Sequence, residues 1–456
     1  MGFVSLWFLF IFLPVGVLLY AATPRKWKML SLYVISVAYY WHSGPFYFGF
    51  MMVSVTIDYC LSRLMQFFDN NNKYRRAILA VGLVKNLGIG VIAGSGYELT
   101  PNIVPIGMYI YLFSALGYLI DVYKGDAMYE KNYIRFSLYC IMFPRLPAGP
   151  MLEYNAYLAQ LKDLSFRLDQ FSRGFTLFIF GFSKWVLILK GLREVTSALY
   201  LVPAGEMSLL SGWILVGCTA LSYYYAFSSY GDMAEGLGII FGFRYLSGYE
   251  YPLISESISS FWKRFNGSVT AFVRRYTTIQ LSADTNGFAT AAVHLIASSV
   301  LIGMWYSVNL NGMLWGLFLG IITVCEELVL VKFLQKIPVF FRRILTLLIL
   351  MPSFLFLTCP DMVQFIQYIK ILLGIGVPLF ESSVGYTLSS YWLPLAAAVL
   401  FAAPLLRPVR RRLSPPSWGN GKREAKPSLA SPDLIMRVIT MGMTCALLFY
   451  SIIIML

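Results

Sequence analysis

The sequence predicts an all-α integral membrane protein, and three observations predict it. The 456-residue chain is 58% hydrophobic, with only 13% charged residues and a mean hydropathy of +0.67, too apolar for a soluble globular domain. Apolar runs long enough to cross about 30 Å of hydrocarbon recur from one end to the other. No stretch alternates polar and apolar residues as a barrel strand does, so backbone groups inside the bilayer must be satisfied as helices.

Taken in order, the clearest runs are 3–20, 78–93, 171–189, 212–227, 289–304, 313–331, 344–357, 391–405 and 438–456. Shorter or polar-interrupted stretches at 30–41, 46–61 and 104–123 bring the expected number of membrane segments to about eleven to thirteen. The first run carries almost no positive charge before it and no small-residue cleavage pattern, so it reads as a retained helix rather than a signal peptide. One membrane domain, 1–456, covers the chain; no soluble domain and no internal repeat stand out.

A net charge of +14 would suit nucleic acid, but the cations sit in short interhelical clusters, which excludes that partner. Arg25-Lys26-Trp27-Lys28, Arg63 with Lys73, Arg75 and Arg76, Lys124 with Lys131, and Arg407 to Arg412 alternate with nearly uncharged loops. The positive-inside rule then puts these loops in the cytoplasm and the amino terminus outside, in a multi-pass plasma-membrane protein contacting lipid headgroups. Residues 407–432, rich in Pro, Ser, Gly and basic residues, read as a basic cytoplasmic loop. The six cysteines lack metal-ligand spacing and read as small apolar fillers, and no metal site is expected.

Between residues 252 and 284 the pattern changes. Ile258, Phe261, Trp262, Phe265, Val269, Phe272, Val273 and Tyr276 follow helical spacing on one stripe, with Lys263, Arg264, Arg274 and Arg275 opposite. Two readings stay open: an amphipathic helix on the membrane surface, or one folding back into the protein to wall a site. Asn266 falls at the edge of the stripe, where its amide could face a cavity.

Several ordered motifs resemble those of the membrane-bound O-acyltransferases, in particular the bacterial branch that acylates extracellular polysaccharides and teichoic acids. They are Pro105-Ile106-Gly107-Met108, Tyr118 to Gly125, Phe143-Pro144-Arg145-Leu146-Pro147-Ala148-Gly149-Pro150, Tyr225 to Leu237, Phe241 to Tyr245, Glu250 to Ile254 and Ser260 to Phe265. With the Trp305 and Trp315 region they cover roughly residues 100 to 320, and their order is what makes the likeness specific.

The resemblance implies an acyltransferase bundle of membrane helices with re-entrant segments. The family carries Arg-Trp-His on the amphipathic segment and Leu-Trp-His-Gly on a later helix, the second histidine serving as catalytic base. Here Arg264-Phe265-Asn266 and Met304-Trp305-Tyr306-Ser307 stand in those places, so Asn266 and Tyr306 occupy the catalytic positions. Neither is a base at neutral pH: an amide cannot be one, and about one phenol in a thousand is ionised at its ordinary pKa. Trp305, Trp262, Arg264, Asp232 and Glu235 are the residues expected to line the substrate path.

Two histidines remain. His294 lies about 18 Å from Tyr306 along a continuous helix and reads as a hydrogen-bonded structural residue; His42, beside Tyr39-Tyr40-Trp41, reads as part of an aromatic belt. Asp232 and Glu235 share a helix face, and intramembrane acids are usually tolerated by ion pairing. Arg244, Lys263 or Arg264 are the partners expected.

Three functions follow. The first is O-acyl transfer, of an acetyl group in this branch, from acetyl-CoA or an acyl carrier through the membrane to an extracellular polysaccharide or cell-wall polymer. The resemblance implies for it an extracytoplasmic acyltransferase or polysaccharide-synthesis partner, and no bound cofactor. The second is an inactive scaffold or acyl-binding subunit of an exopolysaccharide machine, suggested by the missing histidines. Secondary transport is the third, weakened by the absence of repeats.

Overall fold

The computed structural model describes residues 2–94, 107–146, 149–245, 248–281, 287–404 and 446–455, and their regular elements are helices, joined by one isolated bridge. Loop 407–432, Cys445, and the Pro105, Ile106, Pro147 and Ala148 positions of the motifs lie outside the described residues. Seven helices there are long and apolar enough to cross a membrane: Pro45–Phe67, Asn72–Ala93, Leu168–Tyr200, Leu209–Ile240, Phe288–Tyr306, Leu310–Val329 and Val339–Thr358. The bent pair Val384–Ser390 and Trp392–Ala402 would make an eighth. Among the described residues, other apolar runs form shorter helices, such as Phe8–Ala22 and Met362–Leu372, and the expected run 438–456 lies mostly outside them.

Leu168–Tyr200 and Leu209–Ile240 form the centre: 67% and 56% of their apolar windows are buried, against 28–33% for the other five. Small residues let these two approach. A Cβ added to Gly174 would stand 2.5 Å from the Gly236 carbonyl oxygen, and one added to Gly181 2.5 Å from that of Ser229. In lipid, where apolar surface gives helices no reason to prefer each other, such backbone contact is what holds them. Gly312, Gly316 and Gly320, every fourth residue, do the same against Phe288–Tyr306. There an added Cβ at Gly316 would stand 2.4 Å from the Ser299 carbonyl oxygen.

The segment with the amphipathic stripe folds back into the protein. All eight stripe residues are buried, so the surface-helix alternative fails. The segment is also not one helix. Ile258–Arg264 and Gly267–Leu281 are separated at Phe265 and Asn266, and Asn266 is left-handed with φ 58°, a conformation asparagine adopts more readily than most residues. At the break Phe265 pairs antiparallel with Tyr249, flanked by Gly267 N–H to Gly248 O at 2.7 Å and Glu250 N–H to Arg264 O at 3.0 Å.

Both halves are anchored. Glu326 accepts from the Ile258 N–H at 2.8 Å at the start of the first. In the second, Arg275 reaches Glu153 at 2.6 Å and Asp121 at 3.5 Å, and the Tyr276 hydroxyl donates to Asp121 at 2.9 Å. The Tyr118 to Gly125 motif is thereby joined to the re-entrant segment. Within Phe143-Pro144-Arg145, the fully buried Arg145 donates to Ser114 Oγ at 2.9 Å and to the Tyr139 carbonyl.

Candidate active site

Tyr306 ends the helix Phe288–Tyr306, and its ring is held on three sides. It stacks on Phe265 with centroids 5.2 Å apart and meets Phe227 edge-on at 4.7 Å and Trp315 at 5.4 Å. Such pairs fix a ring's orientation as well as burying it. Trp262 leans on the same Trp315 at 5.2 Å. The ring of Tyr306 is half-buried, as is Phe227, but the hydroxyl itself is enclosed.

The helix break brings Asn266 to that hydroxyl. Asn266 is 2% exposed, and its amide and the Tyr249 hydroxyl both face Tyr306 Oη, close enough to interact. Among the described residues, no partner meets hydrogen-bond geometry at Tyr306 Oη or Asn266 Nδ2. Asn266 Oδ1 is occupied, accepting from Ser268 Oγ at 3.3 Å. Burial, first, and the neighbouring Tyr306 push the Tyr249 phenol well above its ordinary range, so it remains protonated.

Behind Tyr249 stands the acid on Leu209–Ile240. The Tyr249 ring lies on Gly231, 2.9 Å from where a Cβ would be, and the next residue, Asp232, is 2% exposed and paired with Lys184 Nζ at 2.5 Å. Lys184 is not among the partners expected for the two acids, Arg244, Lys263 and Arg264. Lys184 begins a π-helical turn inside Leu168–Tyr200, and such a turn shifts the register of the side chains that follow.

Tyr306, Asn266 and Trp262 thus lie together, with Asp232 one layer behind. The rest of the expected set does not join them. Trp305 turns to Phe113, 5.5 Å away on Met108–Lys124. Arg264 contributes its backbone carbonyl to the bridge and is half-buried, while Glu235 is buried three residues beyond Asp232. His42 stacks on Trp7 at 3.7 Å. The Nε2 of His294 is buried without a hydrogen-bond partner among the described residues, unlike the satisfied histidine expected there. Tyr249 and Lys184 escaped the sequence reading: Tyr249 reaches the site only through the bridge, and Lys184 is, by sequence, just one cation in an apolar run.

The fold and site define a multi-span membrane protein whose re-entrant broken helix meets the end of a later span. The chain belongs to the MBOAT, membrane-bound O-acyltransferase family, whose model matches residues 120–359. It is 31% identical over 331 residues to a probable alginate O-acetylase AlgI of Pseudomonas fluorescens, covering 72% of this chain and 66% of that protein. It is 24% identical over 370 residues to a peptidoglycan O-acetyltransferase of Helicobacter pylori, covering 69% and 68%. With a teichoic acid D-alanyltransferase of Bacillus subtilis it shares 19% identity over 238 residues, 48% of this chain and 58% of that one. The chain spans about two thirds of the length of the alginate O-acetylase relative.

Proposed function

We propose that the protein takes part in O-acyl transfer, of acetyl in the first instance, to a hydroxyl of an extracellular polysaccharide or cell-wall polymer. Acetyl-CoA or an acyl carrier would supply the group from the cytoplasm, and an extracytoplasmic partner would complete the transfer. The plasma membrane is the location this requires, with the amino terminus outside. One observation carries the reading: residues 40 apart in sequence, at the positions of the family's two histidines, still converge from separate elements on one buried point, Asn266 facing the Tyr306 hydroxyl. The alginate and peptidoglycan O-acetylating relatives supply the substrate class.

The test is the ester-linked acyl content of the host's surface polymer after deletion of the gene and complementation with the wild-type chain. Loss on deletion and recovery on complementation are expected. Unchanged esters with altered polymer amount or export would instead support a scaffold that has kept the fold and lost the chemistry.

A further inference from the structure

The turn between the helices Leu13–Ala22 and Lys28–Ser43 and the end of the helix Tyr154–Leu161 border a cavity of about 450 Å³. Arg25, Lys26, Arg135 and Lys162 line it together with Met29, Leu161 and Leu164, and no carboxylate does. Arg25 donates to the Lys162 carbonyl and to Asp163 Oδ1, both at 3.4 Å, which ties the turn to the helix end and fixes the opening. Arg25 and Arg135 have acidic partners in Asp163 and Glu130. Among the described residues Lys26 and Lys162 meet no carboxylate, so the cavity keeps two positive charges in excess.

The surroundings decide what kind of anion can reach it. Leu18 and Leu19, in the last turns before the cavity, are 69% and 47% exposed, and Trp27, beside Lys26, is 54% exposed. In a membrane protein such leucines face hydrocarbon, and a tryptophan at the end of an apolar helix marks the headgroup level. The cavity thus opens where the phosphates of a bilayer lie. Its volume suits a small molecule rather than the face of a protein, and basic pockets at the ends of membrane helices take lipid phosphates. We infer that this cavity binds the headgroup of an anionic phospholipid, with the phosphate on Lys26 and Lys162 and the start of the acyl chains against Met29 and Leu161. The inference does not depend on the acyl-transfer reading.

The full-length protein in neutral detergent is titrated with phosphatidylglycerol or with phosphatidylcholine of the same acyl chains, and native mass spectrometry gives the apparent Kd of the first lipid retained. Phosphatidylglycerol should bind more tightly. Lys26→Gln and Lys162→Gln should each weaken it about fivefold, the share of one cation near a lipid phosphate, and leave phosphatidylcholine unchanged. Lys73→Gln removes an exposed cation outside the cavity and should change neither. Equal affinity of the wild-type chain for the two lipids would overturn the inference. So would a loss in Lys73→Gln as large as in Lys162→Gln, since net charge alone would then explain it. Coenzyme A, which carries phosphates and no lipid tails, should not displace phosphatidylglycerol; displacement that both cavity variants abolish would make this a donor site and overturn the lipid assignment. Both lysines are exposed, and should one variant fail to accumulate, the other decides.

Discussion

Asp232 sets the terms at the scale of single residues. Its carboxylate is 2% exposed, and what makes that tolerable is Lys184 at 2.5 Å, reaching in from the neighbouring central helix. Removing one member of a buried pair costs about 3–5 kcal/mol, because the other charge is stranded, whereas replacing both by apolar groups is often neutral. Lys184→Met is therefore expected to lower the thermal unfolding midpoint in detergent strongly, and Lys184→Met with Asp232→Leu to recover most of the loss. A single variant as stable as wild type would mean that the pair does not hold the central helices. The acid was legible in the sequence because charges inside an apolar run stand out. Its partner was not, because 48 residues separate the two and only the packing of Leu168–Tyr200 on Leu209–Ile240 selects one cation from several. Asn266 and Tyr306 were legible by their place in ordered motifs, while Tyr249 was invisible until the bridge to Phe265 brought it in.

Elements in this protein are joined by backbone contact, and that contact tolerates no added atom. At Gly316 a Cβ would meet the Ser299 carbonyl oxygen at 2.4 Å and the Val300 Cα at 2.7 Å, both backbone atoms that cannot step aside. Gly316→Ala is expected to cost about 1–3 kcal/mol by overpacking, whereas Gly287→Ala, with nothing within 4 Å, should be silent; parallel thermal melts check both. A regular spacing such as 312, 316 and 320 is open to sequence reading. The helix break at Phe265 and Asn266 is not, since the apolar period runs through it without a fault. There the left-handed Asn266 makes a separate prediction. Asn266→Val should be less stable than Asn266→Gly by about 1–2 kcal/mol, because a β-branched side chain is crowded in that conformation and glycine is not. Equal melting points for the two would show that the break is not held by this residue's backbone.

For the whole molecule, basic residues of several connecting segments gather at one end. Arg75 donates to the Tyr123 carbonyl at 2.7 Å, Arg25 meets Asp163 at 3.4 Å, and Arg275 reaches both Asp126 and Glu153. The turns after Pro45–Phe67 and Met108–Lys124 and the start of Leu168–Tyr200 therefore share a side. Thirty-three residues of helix then carry the chain about 50 Å, to the opposite end at Glu206, before Leu209–Ile240 returns. If the basic end is cytoplasmic, as charge asymmetry between loops requires, Asn70 lies inside and Glu206 outside. Single cysteines at these exposed positions, in a chain with its six native cysteines replaced, separate the cases. A membrane-impermeant maleimide applied to intact cells should label Glu206→Cys and reach Asn70→Cys only after permeabilisation. The reverse pattern would invert the protein and put the amino terminus inside, and labelling of both in intact cells would contradict the passage of the two central helices through the bilayer.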